Sequence, residues 1–74
     1  QSELSRRIEA VAVRFELSPR ETETLSYLGR GHGIVFIAKT LVISESTVRT
    51  HVKSIYRKLD VSSREELLEL IDKG

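Results

Sequence analysis

Cysteine is missing from all 74 residues, and so is methionine, even at position 1. Without thiols, neither a disulfide nor a thiolate metal site can brace the fold, which fits a reducing, cytoplasmic setting. A missing initiator implies a piece of a longer protein. Asparagine is absent too, and the only glutamine is Gln1. No apolar run approaches the roughly 20 residues that cross a bilayer, and no signal peptide is visible. Strand patterns are scarce: the one β-like run, Ile34 to Ile37, is short and has no partner. A chain of this length buries only about 60% of its unfolded surface. That leaves no space for a parallel sheet with crossover helices, and so excludes most nucleotide-dependent enzymes.

What remains is a chain with 31% charged residues and many aliphatic ones, a mix that suits a small all-α bundle. Net charge is only +1, but its distribution is uneven. Between Lys39 and Leu59, the cations Lys39, Arg49, Lys53, Arg57 and Lys58 face a single acid, Glu45, a local balance of +4. From Asp60 onward, Asp60, Glu65, Glu66, Glu69 and Asp72 oppose Arg64 and Lys73, a balance of −3. Such a split points to one localised anion-binding face.

Apolar periodicity divides the chain into five helices. Leu4, Ile8, Val11 and Phe15 form the stripe of a first helix ending near Glu16, which packs on the rest or connects it to upstream sequence. Ser18-Pro19-Arg20-Glu21 is a capping box with proline in the first turn, and Gly31 suits the left-handed end of that second helix. A third helix, lacking a capping side chain, is expected over 34–41. Val42-Ile43 then makes a tight apolar turn, and Ser44 caps a fourth helix over 45–59. Ser63 and Glu66 offer a further capping box. The last helix should carry Leu67, Leu68 and Ile71 inward, with Leu70 to the side.

The fourth helix carries the function. At about 100° per residue, Val48, Val52, Ile55 and Leu59 fall in a sector about 60° wide, while Ser46, Arg49, Thr50, Lys53 and Arg57 occupy one of about 100° on the far side. One face is sealed to a core; the other offers three cations and two hydroxyls without an acid. A helix of this kind fits the roughly 12 Å major groove of duplex DNA. Arg49 or Lys53 would donate to guanine, and Thr50 would meet a thymine methyl, a base or a phosphate. Ser46, Thr47, Arg57, Lys58 and Lys39 are placed for phosphates. With no asparagine or glutamine on this helix, the bidentate amide contact to adenine is not available.

Other signals fall short. Gly33 to Thr40 nearly spells a phosphate-binding loop, yet Ala38 stands at its second glycine and no strand precedes it. His32 and His51 are the only imidazoles, and His51 borders the core side of its helix, where packing or backbone bonding outweighs metal ligation. Tyr56 borders the basic face, as a packing residue or a phosphate contact. No pattern calls for a cofactor, a small-molecule ligand or catalysis.

From Leu17 to Ile71 the chain resembles the LuxR-type (NarL/FixJ-like) helix-turn-helix family. The resemblance rests on Leu17-Ser18-Pro19-Arg20-Glu21, Ile37-Ala38, the run from Leu41 to Val52, Tyr56-Arg57-Lys58-Leu59 and Ser62-Ser63-Arg64, in order and unbroken in spacing. It implies a four-helix DNA-binding domain over 17–74 preceded by an added helix over 1–16. It implies base contacts at Arg49, Thr50 and Lys53, and a homodimer on double-stranded DNA with Leu67, Leu70 and Ile71 at its interface. An upstream sensory domain would lie outside this chain. Gly33-Ile34-Val35-Phe36 departs from the family's polar start to this helix. Either the first helix covers that apolar surface, or it contacts an upstream domain or a second protomer. Two other readings remain: a protein-interaction bundle and, within DNA binding, a sigma-factor promoter-reading domain. The pattern from Val48 to Leu59 and the Ser62-Ser63-Arg64 ending favour the LuxR type over the latter.

Overall fold

A computed structural model describes residues 2–73, which form five helices and no strand. They are α1 (Glu3–Arg14), α2 (Pro19–Gly29), α3 (Ile34–Leu41), α4 (Glu45–Leu59) and α5 (Arg64–Lys73). The limits of α3 and α4 fall where periodicity and capping place them. The radius of gyration, 11.2 Å, equals the value of about 11 Å expected for a closed body of this length, so no helix stands off as an arm.

The helix ends follow from local chemistry. The Ser18 hydroxyl accepts from the Glu21 N–H at 3.1 Å, and the Glu21 carboxylate accepts from the Ser18 N–H at 2.8 Å, completing the expected capping box. Gly31, at φ 91°, takes the left-handed conformation that turns the chain after α2. α1 stops at Arg14, short of the expected Glu16, because Glu16 itself is left-handed at φ 54°. The Leu17 N–H then bonds back to the Ala12 carbonyl at 2.9 Å, leaving little slack between α1 and α2. At α5 the Ser63 hydroxyl accepts from the Glu66 N–H, but the Glu66 carboxylate reaches the Ser62 N–H and hydroxyl instead of closing a box with Ser63.

The core joins Ile8 and Val11 of α1, Leu25 and Leu28 of α2, Ile37 and Ala38 of α3, Val48, Ile55 and Leu59 of α4, and Leu67 and Ile71 of α5. Leu68 is exposed and Leu70 half-buried, the reverse of the expectation for that pair. Helical spacing accounts for it: Leu70 and Ile71 lie three and four residues from Leu67 and share its face, whereas Leu68 is turned about 100° away. α2 packs on α4, α3 on α4, and α1 on α2 and α5. Where α1, α2 and α5 meet, a Cβ on Gly29 would lie 3.1 Å from Ile8 Cδ1 and 3.2 Å from Ile71 Cδ1. A side chain there would make both isoleucine methyls give way by a few tenths of an ångström, so glycine suits the close approach of those helices. With α1 spent on α2 and α5, Val35 and Phe36 stay 53% and 43% exposed, so α1 does not cover the apolar start of α3.

Candidate nucleic-acid interface

α3, the turn at Val42-Ile43 and α4 form a helix-turn-helix, with α4 as its longer member. Ser44 starts α4: its hydroxyl accepts from the Thr47 N–H at 3.0 Å and shares a 2.8 Å bond with the Thr47 hydroxyl. Asp60, left-handed at φ 55°, ends it. Between them, Val48, Ile55 and Leu59 are buried and Val52 half-buried, so the aliphatic side is sealed as the pattern requires.

The opposite side is open. Arg49, Thr50 and Lys53, the expected base-contacting residues, are all exposed, as are Ser46, Thr47 and Arg57. Arg49 lies 3.4 Å from Glu45 one turn earlier, with both side chains about half exposed; a pair of that kind is worth little and exchanges readily for another anion. The Thr50 hydroxyl donates to the Ser46 carbonyl at 3.2 Å, which leaves its methyl and a lone pair outward. Lys53 and Arg57 make no ion pair among the described residues, nor does Lys39, exposed near the end of α3. Tyr56 packs against the core. The free N–H groups in the first turn of α4 add positive potential at the same end as Ser46 and Thr47.

Lys58 departs from this set. Its Nζ sits 2.8 Å from Glu21 Oε1, on a carboxylate whose residue is only 6% exposed, and 3.5 Å from the Glu16 carbonyl. Ser54, one turn earlier on α4, donates to the other Glu21 oxygen. Burial alone raises the pKa of Glu21, but the bonds from Lys58, Ser54 and the Ser18 backbone outweigh it and hold the group at about 2, below its ordinary 4.5. Lys58 therefore turns toward α2, away from the open stripe of Arg49, Lys53 and Arg57. Sequence alone groups Lys58 with Arg57, since only the fold brings Glu21 opposite it. The same reading took Glu21 only as a capping residue and passed over Ser54; the one legible trace is that Ser54 and Lys58 flank the core residues Ile55 and Leu59 at helical spacing.

The expected interface residues of α5 are also redistributed. Leu67 and Ile71 are 0% and 2% exposed within this domain's own core and have no surface to give a second copy. Of the three, only Leu70 retains some exposure.

The profile of the bacterial regulatory proteins, luxR family, matches residues 16–71, which takes in α2 to α4 and most of α5 and leaves α1 outside. Among curated proteins, the chain is 48% identical over 48 residues to a probable transcriptional regulatory protein NarL of Mycobacterium tuberculosis, covering 65% of this chain and 22% of that protein. It is 43% identical over 53 residues to the oxygen regulatory protein NreC of Staphylococcus haemolyticus, covering 72% and 24%. Against the nitrate/nitrite response regulator protein NarL of Escherichia coli K12 the identity is 41% over 51 residues, covering 69% and 24%. The matched stretch thus spans about a quarter of the length of these relatives. No solved structure matches the chain. On the profile match and the helix-turn-helix geometry together, this chain belongs to the LuxR family of bacterial regulatory proteins.

Proposed function

We propose that this domain binds double-stranded DNA as part of a transcriptional regulator, with α4 lying in the major groove. The single observation that carries the reading is the outward side of α4, where three cations and two hydroxyls stand without an acid, on a helix whose other side is locked into the core. Arg49, Thr50 and Lys53 read base edges. Ser46, Thr47, Arg57 and Lys39 hold phosphates. Because α4 carries neither asparagine nor glutamine, direct readout favours guanine, and preference for A·T comes from the thymine methyl or from the shape of the duplex. Relatives named as transcriptional and response regulators support the assignment. In this reading two copies occupy neighbouring half-sites, and half-buried Leu70 is the apolar residue of α5 left for their contact. In the same reading a sensory domain elsewhere in the parent protein controls them, and the domain acts on DNA in the cytoplasm.

The test is a salt series on random-sequence and selected duplexes. Log affinity should fall linearly with log salt, with a slope near −0.9 per phosphate neutralised. Arg49→Ala and Lys53→Ala should each lower affinity for the selected duplex by about 1–3 kcal/mol. Arg57→Ala should weaken both duplexes evenly and flatten the slope by about 0.9. Full affinity in the Arg49→Ala/Lys53→Ala double variant would rule out the DNA reading. It would leave the protein-interaction alternative, whose supporting observation is the exposed Val35 and Phe36.

A further inference from the structure

We propose that Glu21, Ser54 and Lys58 are positioning residues for α4: they set its rotation about its own axis, and so decide which side chains face the duplex, while Lys58 touches no phosphate. The proposal rests on the DNA reading above and concerns how the recognition helix is aimed.

Two stripes run side by side along α4 at four-residue spacing. Arg49, Lys53 and Arg57 form one; Thr50, Ser54 and Lys58 form the next, about 100° further round. The first stripe is open along its whole length. The second begins open at Thr50, and then both Ser54 and Lys58 are tied to the one carboxylate of Glu21. Apolar contacts of Val48, Ile55 and Leu59 with the core hold the helix down, but burial is non-directional and tolerates some roll. Hydrogen bonds do not, since they weaken steeply with distance and angle. A roll of one residue would bring one stripe to where the other stands and break both bonds to Glu21.

Glu21 is itself held in place, because the same carboxylate completes the capping box at Ser18. The anchor is therefore the rigid first turn of α2, and Lys58 also reaches the Glu16 carbonyl at the junction of α1 and α2. If Lys58 left for a phosphate, it would strand a buried carboxylate, a cost that Arg57 and Lys53 do not face.

The experiment measures affinity of the full chain for a selected duplex and for an unrelated duplex across a salt series. The variants are Lys58→Met, Glu21→Gln, Ser54→Ala and the double Glu21→Gln/Lys58→Met, with folding at assay temperature checked by circular dichroism. Expected for Lys58→Met is a loss of about tenfold on the selected duplex, a much smaller loss on the unrelated one, and an unchanged salt slope. Glu21→Gln should reproduce that loss of discrimination, although no route brings a buried Glu21 onto DNA. The double variant should be no worse than either single change, as for groups acting through one contact. Lys58→Arg should restore part of the discrimination. Where a single variant unfolds, the double, in which neither charge is stranded, carries the test. A salt slope flattened by about 0.9 with even loss on both duplexes would make Lys58 a phosphate contact and overturn the proposal. Unchanged discrimination in folded Glu21→Gln and double variants would overturn it too. Failure of the wild type to bind any duplex is a different result, and would remove the DNA reading along with it.

Discussion

α3 and α4 meet across one short turn, yet they are secured in different ways. α4 has fifteen residues, a serine cap, a buried aliphatic stripe and two polar ties to Glu21. α3 has eight residues, a glycine at its N-cap with no capping bond, and no side-chain hydrogen bond or ion pair among the described residues. What holds α3 is apolar: Ile37 and Ala38 are buried, Ile34 and Leu41 half-buried, and Phe36 stacks at 3.9 Å on His32 with Tyr27 edge-on to both. The difference teaches that only one helix of the pair needs its rotation fixed by directional bonds. The helix that presents side chains to a partner has them; the supporting helix is held by burial.

The contrast can be broken first at Ile37. Since Ile37 is the one large side chain of α3 that is fully buried, Ile37→Ala should lower stability by about 2–5 kcal/mol, read as the shift in urea midpoint with unchanged slope. A loss below about 1 kcal/mol would mean that α3 is held by something besides burial.

The second lever is acid, and it acts on α4. The pKa of Glu21 is lowered to about 2 in the fold, so its stabilisation is fully present above about pH 4.5 and disappears as pH falls through about 2. Between those limits the wild type should lose about 2–3 kcal/mol more than Glu21→Gln, a figure reduced for the water that reaches the partly exposed Lys58. Urea melts of both proteins at pH 5 and pH 2.5 give the comparison, and parallel curves would show that the fold does not lower the Glu21 pKa.

The smallest effect belongs to the turn between the helices. Val42 sits in the left-handed region at φ 57° and is 86% exposed, a conformation that a β-branched residue resists and glycine accepts. Val42→Gly should therefore raise stability by about 1 kcal/mol despite the entropy glycine adds to the unfolded chain. A drop on thermal melting would assign Val42 a packing role that its exposure does not suggest.

How much of this was legible in the sequence depends on whether the signal was local. The bounds of α3 and α4, the box at Ser18 and Glu21, and the sealed and open sides of α4 all follow from caps and a 3.6-residue period. Lys58 does not, because its partner lies 37 residues away and nothing in the neighbouring Arg57 distinguishes the two cations. Leu68 and Leu70 were exchanged because a run of three leucines and an isoleucine gives a buried sector without fixing its edge. The exposure of Val35 and Phe36 was equally hidden: it depends on α1 settling on α2 and α5, a choice made by Gly29, Ile8 and Ile71 together.

That gap at Gly29 also bears on how the domain opens. Ile8 and Ile71 stand near opposite termini, and both close onto the same missing side chain, so neither terminal helix can lift away without uncovering the other's anchor. Amide protons of α1 and α5 should therefore exchange as one cooperative unit, with matching opening free energies, instead of fraying separately as chain ends usually do.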